Sequence, residues 1–274
     1  MSLFDAFRYD GKRVLVVGGA SGMGAAVAQL VQDAGAEVVI MDFAESSLPG
    51  ATAIHVNLAD TATIDTAVAE CGGPVHAVFS CAGVADGTPG IEKINFLGHR
   101  YLIDLLLAGD MLPRGSAIGF ISSAAGLGWE ANLADLKEFL AIDDVETAAQ
   151  WAHDHGTAHY LGTKQAMCAY VATQAMPMLT RGIRINAICP GPTDTPLAQA
   201  NKEIWLGFGA DYRAATGVEA ATPLEQAYPL VFLCSDAAAA INGIIMITDS
   251  GYFSAGVTET FPDATPIVNF LLGR

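Results

Sequence analysis

The chain has 274 residues, 52% hydrophobic and only 15% charged, with 29 acidic against 13 basic side chains and a formal net charge of −16 at pH 7. So acidic a surface argues against nucleic acid and anionic membranes as partners, since both need a basic face. The apolar surplus in a chain of one-domain length predicts a large core and a homo-oligomer, dimer or tetramer. Cys71, Cys81, Cys168, Cys189 and Cys234 are scattered and odd in number, which reads as reduced thiols in a cytoplasmic protein, and no charged-then-apolar leader opens the sequence.

The first element is the apolar run Val14 to Val17, followed by Gly18-Gly19-Ala20-Ser21-Gly22-Met23-Gly24 and an Ala/Leu/Gln-rich segment stopping at Gly35. This reads as strand, glycine turn and helix. Gly18, Gly22 and Gly24 supply the tight turn and the close backbone approach to a pyrophosphate, which the free N–H groups and the helix dipole attract. The uncharged run Val14 to Gln32 is long enough for a membrane span. However, four glycines in seven positions, with Ser21, Gln29 and Gln32, make a poor one. A second strand, Glu37 to Asp42, ends on a carboxylate about 20 residues past the glycines, where it can bond the ribose hydroxyls of NAD and repel the extra phosphate of NADP. Its alternative is a cap or turn residue.

Beyond it the rhythm continues with strand Ala51 to Val56, helix Thr61 to Glu70 and strand Val75 to Ser80. Such alternation predicts an α/β fold, a single Rossmann-type domain with a doubly wound parallel sheet of about seven strands. Asn57 is placed to reach an adenine, and Cys81-Ala82-Gly83 closes the fourth strand with a glycine that admits close backbone approach. A helix from Ile91 to Leu107 carries Asn95, and a fifth strand, Gly115 to Ser123, ends on Ser123 where ligands of such sheets bind. Residues 127–156 form an insert too long for a structureless loop, with helical spacing over Asn132 to Leu140 and Asp143 to His155.

The next helix, Thr157 to about Met176, puts Tyr160 and Lys164 one turn apart, and Pro177 should end or kink it. Strand Ile183 to Ile188, helix Pro223 to Cys234 and strand Ile244 to Thr248 complete the series. A phenol titrating near ~10 is a poor base, but a cation one turn away, joined by a cofactor's positive ring, would lower it by about three units, or ~4 kcal/mol. Tyr160 would then exchange a proton with an alcohol. Ser123 would hold the substrate oxygen, Lys164 the nicotinamide ribose, and Asn95 a water that relays the proton.

In this order, Gly18-x-x-x-Gly22-x-Gly24, Ala82-Gly83, Asn95, Ser123, Tyr160-x-x-x-Lys164 and Pro190-Gly191-x-x-x-Thr195 resemble the short-chain dehydrogenase/reductase family over nearly the whole length. The insert with Gly128-Trp129-Glu130 looks most like the 3α-hydroxysteroid dehydrogenase/carbonyl reductase and coniferyl-alcohol dehydrogenase subgroup. The resemblance implies that Thr195 touches the nicotinamide amide, that about 194–222 form a substrate lid, and that Met23, Phe43, Leu58, Pro190, Gly191 and Thr193 stand beside the cofactor. Cys81 replaces an Asn of many relatives and Asn57 an Asp. Ser21 stands where NADP-preferring relatives often place Arg or Lys, which agrees with Asp42 in favouring NAD.

No metal is expected: on a helix His155 and His159 share a face that His153 does not. The substrate pocket is expected from Leu127 to Trp129, from a lid carrying Trp205, Phe208 and Tyr212, and from a tail, about 252–274, carrying Phe253, Phe261 and Phe270. The resulting expectation is NAD-dependent interconversion of a hydrophobic secondary alcohol and ketone, 3-hydroxysteroids included. An aryl or allylic alcohol dehydrogenase is the alternative within the class. A non-catalytic NAD-sensing scaffold is the alternative outside it, opposed by the intact Asn95, Ser123, Tyr160 and Lys164.

Overall fold

Short runs rich in Val, Ile and Ala, buried on both faces, form the strands, as a sheet covered by helices on each side requires. In the computed structural model, which describes residues 2–274, these are β1 Arg13–Val17, β2 Glu37–Asp42, β3 Thr52–His55, β4 Ala77–Ser80, β5 Ala117–Ile121, β6 Arg184–Pro190 and β7 Ile245–Thr248. They make one seven-stranded sheet in the order β3-β2-β1-β4-β5-β6-β7, every neighbouring pair parallel. Alternation along β1 divides the core. Leu15 and Val17 enter a cluster with Phe96, Phe120 and Tyr170, while Val14 and Val16 enter the opposite one with Val27, Phe79 and Leu230.

Helices α1 Gly22–Asp33, α2 Thr61–Cys71, α3 Gly98–Ala108, α4 Leu133–Leu140, α5 Val145–Asp154 and α6 Tyr160–Thr180 precede β6. Between β6 and β7 come α7 Pro196–Ala200, α8 Lys202–Trp205, α9 Ala210–Thr216 and α10 Pro223–Cys234; α11 Tyr252–Val257 and α12 Thr265–Leu272 close the chain. The insert does carry its own helices. Leu136 and Phe139 of α4 and Val145 and Ala148 of α5 join the first core, and Arg100 holds the turn between them through Ile142 O (2.8 Å) and Asp143 O (3.3 Å). The tail helices build a third cluster in which Phe253 and Val268 pack with Ala124, Leu127, Cys168 and Cys189.

The ladder trims several expected strands. Residues 75–76 and 122–123 lie outside β4 and β5, whereas β6 runs on to Pro190 because that residue pairs with Thr248. The helix expected from Ile91 is interrupted by a π-turn, Lys93–Leu97, that carries Asn95. Pro177 does not end α6. It lies near solvent in the last turns, where one missing N–H costs little. Because β1 and β4 are neighbours from which the sheet is wound in opposite directions, a crevice opens beyond their carboxyl ends. Among the described residues no helix is long and apolar enough to cross a membrane.

Candidate active site

The crevice begins where β1 meets α1. Gly18 adopts a left-handed φ of 85° and lies so close to the turn after β4 that a Cβ there would stand 2.3 Å from Ala82 N; at Gly24 it would stand 1.9 Å from Gly18 O. Main chain therefore packs on main chain, leaving the α1 N-terminus facing the cleft. Asp42 at the end of β2 is fixed by the N–H groups of Ala20 (2.8 Å) and Ala44 (2.9 Å), which occupy one site on each carboxylate oxygen. A carboxylate accepts more bonds than these two, so it retains capacity for hydroxyl donors.

A cleft of about 470 Å³ brings together Gly18, Ser21, Gly22, Met23, Gly24, Asp42, Phe43, Asn57, Leu58, Cys81, Ala82, Gly83 and Thr195. Asn57 uses its Oδ1 to accept from Ala59 N (3.0 Å), which leaves its amide group for the cleft. Gly83 sits between the groups expected to do chemistry: a Cβ there would meet Asn95 Oδ1 at 3.4 Å and Lys164 Nζ at 3.7 Å.

A second cavity, about 290 Å³, shares Met23 and Thr195 with the first and contains Ser122, Ser123, Tyr160, Pro190, Gly191, Thr193, Trp205 and Phe208. Trp129 lies outside it, contrary to the sequence expectation. Gly128, left-handed with φ 78°, presses its backbone on the main chain of Leu271 and Leu272, and Trp129 packs against the first and third core clusters. The wall expected from Leu127 to Trp129 is instead supplied by Ala124 and Ala125, and by Ile267 and Leu271 of the tail. Tyr212 also stands back, edge-on to Tyr252. Trp205 lies over the Tyr160 ring with centroids 5.0 Å apart.

In the chain itself the electrostatics of Tyr160 are set first by burial. Burial pushes its phenol up to about 12; a hydrogen bond with Ser123 lowers it, and the Asp86 carboxylate, which accepts the Tyr160 N–H, raises it. Lys164 Nζ is 5.5 Å from the ring centre and donates to Ile121 O at 3.0 Å, and burial lowers it to about 8. Asn95, fully buried, bonds both ends of Val84 (Oδ1 from N at 2.7 Å, Nδ2 to O at 3.1 Å) and reaches Thr163 Oγ1 at 3.3 Å.

The three histidines do not converge. His153 faces Glu92 at 3.5 Å, His155 stacks on Trp151, and His159 caps α6 by accepting from Gly162 N. Sequence reading missed Asp86, an acidic loop residue 74 positions from its partner; it expected the tail at the pocket but named Phe253, Phe261 and Phe270, where the structure brings Ile267 and Leu271.

A family model described as enoyl-(acyl carrier protein) reductase matches residues 145–253. The chain is 32% identical over 261 residues to cis-4-hydroxycyclohexanecarboxylate dehydrogenase of Sinomonas cyclohexanicum, covering 88% of this chain and 96% of that one. The chain belongs to the short-chain dehydrogenase/reductase family. It is also 28% identical to coniferyl-alcohol dehydrogenase of a Pseudomonas species, over 90% of this chain and 98% of the relative. The solved 3-alpha-hydroxysteroid dehydrogenase of Pseudomonas sp. B-0831, complexed with NADH, superposes with a TM-score of 0.74 at 27% identity, covering 91% of this chain and 99% of that one.

As a short-chain dehydrogenase/reductase the chain is an oxidoreductase that binds a nicotinamide cofactor. Its cleft fits one: the glycine turn leaves α1 open to phosphate, and Asp42 keeps acceptor capacity. On the expectation that the Tyr160 phenolate acts as base in alcohol oxidation, a lower phenol pKa moves the rising limb of the pH profile toward lower pH. Asp86→Asn keeps an acceptor for the Tyr160 N–H and removes the charge that raises the phenol. The limb in kcat/KM is therefore expected to move to lower pH, measured in matched profiles of variant and parent.

Proposed function

We propose that the chain is an NAD-dependent dehydrogenase interconverting a neutral, hydrophobic ring alcohol and its ketone, 3-hydroxysteroids included. The observation carrying this is the second cavity. Ile204, Trp205, Phe208, Ile267 and Leu271 face Ser123 and Tyr160, and no charged side chain lines it. Such a site rewards burial of an apolar ring and gives a carboxylate no counter-cation. That distinguishes it from what the name of the Sinomonas relative implies for its substrate, while the ring alcohols in the names of the relatives support the class. The Trp205 indole beside Tyr160 also suits a flat aryl alcohol of the coniferyl kind.

When bound, the nicotinamide takes up or returns the hydride. Ser123 holds the alcohol oxygen, and Tyr160 accepts its proton at the phenol oxygen. Lys164, buried and charged below about 8, offsets the phenolate charge and holds the nicotinamide ribose. Asn95 positions the π-turn and serves the proton relay. Thr195 and the α7–α9 segment cover the site and exclude water. NAD preference rests on Asp42, with uncharged Ser21 and Phe43 beside it. The five cysteines are free, and Cys168 and Cys189 stand with sulfurs 3.7 Å apart yet unjoined, which suits a reducing cytoplasm.

A homo-oligomer is supported by apolar side chains left in solvent along β7 and α10: Ile247 on the open edge strand, Leu224 and Tyr228 on the helix.

With NAD, a neutral cyclic alcohol is expected to show a higher kcat/KM than its carboxylate-bearing analogue; the reverse order overturns the substrate class. Tyr160→Phe is expected to lower kcat/KM by about 10²–10⁴-fold with NAD affinity nearly unchanged, by fluorescence titration. NAD is expected to bind at least about tenfold more tightly than NADP, the margin shrinking in Asp42→Ala. Light scattering is expected to give a mass of two or four chains, and a monomer mass at every concentration refutes the oligomer.

A further inference from the structure

The segment that roofs the substrate cavity is held from behind. Trp205 and Phe208 line that cavity, and between α8 and α9 the chain turns back over residues 206–209. The carbonyls of Leu206 and Phe208 receive no backbone N–H among the described residues. One side chain takes both. Arg213 Nη1 donates to Phe208 O at 2.7 Å, and its Nη2 donates to Leu206 O. A planar guanidinium grips two acceptors with donors fixed relative to one another, which a single ammonium cannot do.

Arg213 can serve as an anchor because α9 is itself fastened to the end of the chain. The neighbouring Tyr212 donates its hydroxyl to Ser250 O at 3.0 Å and sets its ring edge-on to Tyr252 and Phe261, with centroids 5.5 and 5.3 Å away. Phe208 meets the same Tyr252 edge-on at 5.0 Å. Gly209, at a left-handed φ of 62°, lies so near that ring that a Cβ would stand 3.1 Å from it. Support therefore passes from α11 through Tyr212 to α9, through Arg213 to the main chain of 206–208, and from there to the Trp205 indole over Tyr160. We infer that Arg213 is a positioning residue for substrate selection: its fork fixes where the roof formed by Trp205 and Phe208 stands, and with it how large an alcohol is held against Ser123 and Tyr160. Arg213 itself lines neither the substrate cavity nor the cofactor cleft. The inference rests on the reading of the roofed cavity as the alcohol site.

The test compares the full chain with Arg213→Met, which removes the donors but keeps an unbranched side chain, and with Arg213→Lys, which keeps the charge without the fork. With NAD, kcat/KM is measured for decahydro-2-naphthol and for cyclohexanol, and the readout is their ratio. A variant that is merely less stable lowers both values by the same folded fraction and leaves the ratio unchanged. The two-ring alcohol buries more area against the roof, so the ratio is expected to fall about tenfold in Arg213→Met, chiefly through a higher KM for the larger substrate, and at least about threefold in Arg213→Lys. A second measurement needs no turnover. Acrylamide quenching of Trp205, taken from the emission lost on Trp205→Phe in each background, is expected to rise at least about twofold as the indole gains solvent contact. An unchanged ratio, unchanged quenching, or parent values in Arg213→Lys overturns the inference. Should Arg213→Met fail to fold, Arg213→Lys decides. Should the parent oxidise neither alcohol, the ring-alcohol reading fails and the quenching alone decides the role of Arg213.

Discussion

Everything at the active end depends on how the main chain leaving β4 is held against the main chain leaving β1. A single carbonyl, Val17 O, accepts from both Cys81 N (2.8 Å) and Ala82 N (2.9 Å). Ala82 O in turn meets His99 Nε2 at 3.1 Å; burial lowers that imidazole to about 4, so it stays neutral and donates from this nitrogen. Asn95 then clasps both ends of Val84 and reaches across to Thr163 on α6. The glycine turn, the π-turn and the Tyr160 helix are thus tied to one four-residue stretch, Cys81 to Val84, through bonds that no longer need water. A side chain at Gly18 would push this stretch away and separate the cofactor cleft from the catalytic groups.

Within that frame, low dielectric works against both charges that the proposed proton transfer needs. It raises the phenol of Tyr160 to about 12 and lowers the ammonium of Lys164 to about 8, so each group is driven toward its neutral form by the same desolvation. Exclusion of water is what makes later charge stabilisation effective, because a positive charge brought near the phenol acts with little screening. The cost of burying the pair and the strength of its response to a bound cation have one origin.

How much of this could be read in the sequence follows from how local each determinant is. The glycine turn, the carboxylate ending β2 and the Tyr160/Lys164 spacing depend on neighbours within a few turns of chain; the fold places the glycines, Asp42 and Tyr160 around two adjoining cavities and buries Lys164 behind them. Strand ends depend on hydrogen bonds from the adjacent strand, so β6 gains Pro190 through Thr248 and β5 stops at Ile121. The π-turn at Asn95 leaves no signature in apolar periodicity. Trp129 was misplaced because its direction is set by Gly128 packing on Leu271, a contact between residues far apart in sequence. The effect of burial on Tyr160 was illegible for the same reason: spacing shows which charges are near, and only the folded core shows how much solvent has gone.

The third core cluster gives the two cavities different histories. The cleft expected to take the dinucleotide draws on residues 17–94 and 195–197, whereas the second cavity needs Ile267 and Leu271 of α12. A chain emerging from the ribosome amino end first can therefore finish the sheet's nucleotide half while Trp205 and Phe208 still lack their cover. Until α12 folds back, the aromatic surface of Trp205 and Phe208 lacks the aliphatic wall that Ile267 and Leu271 supply.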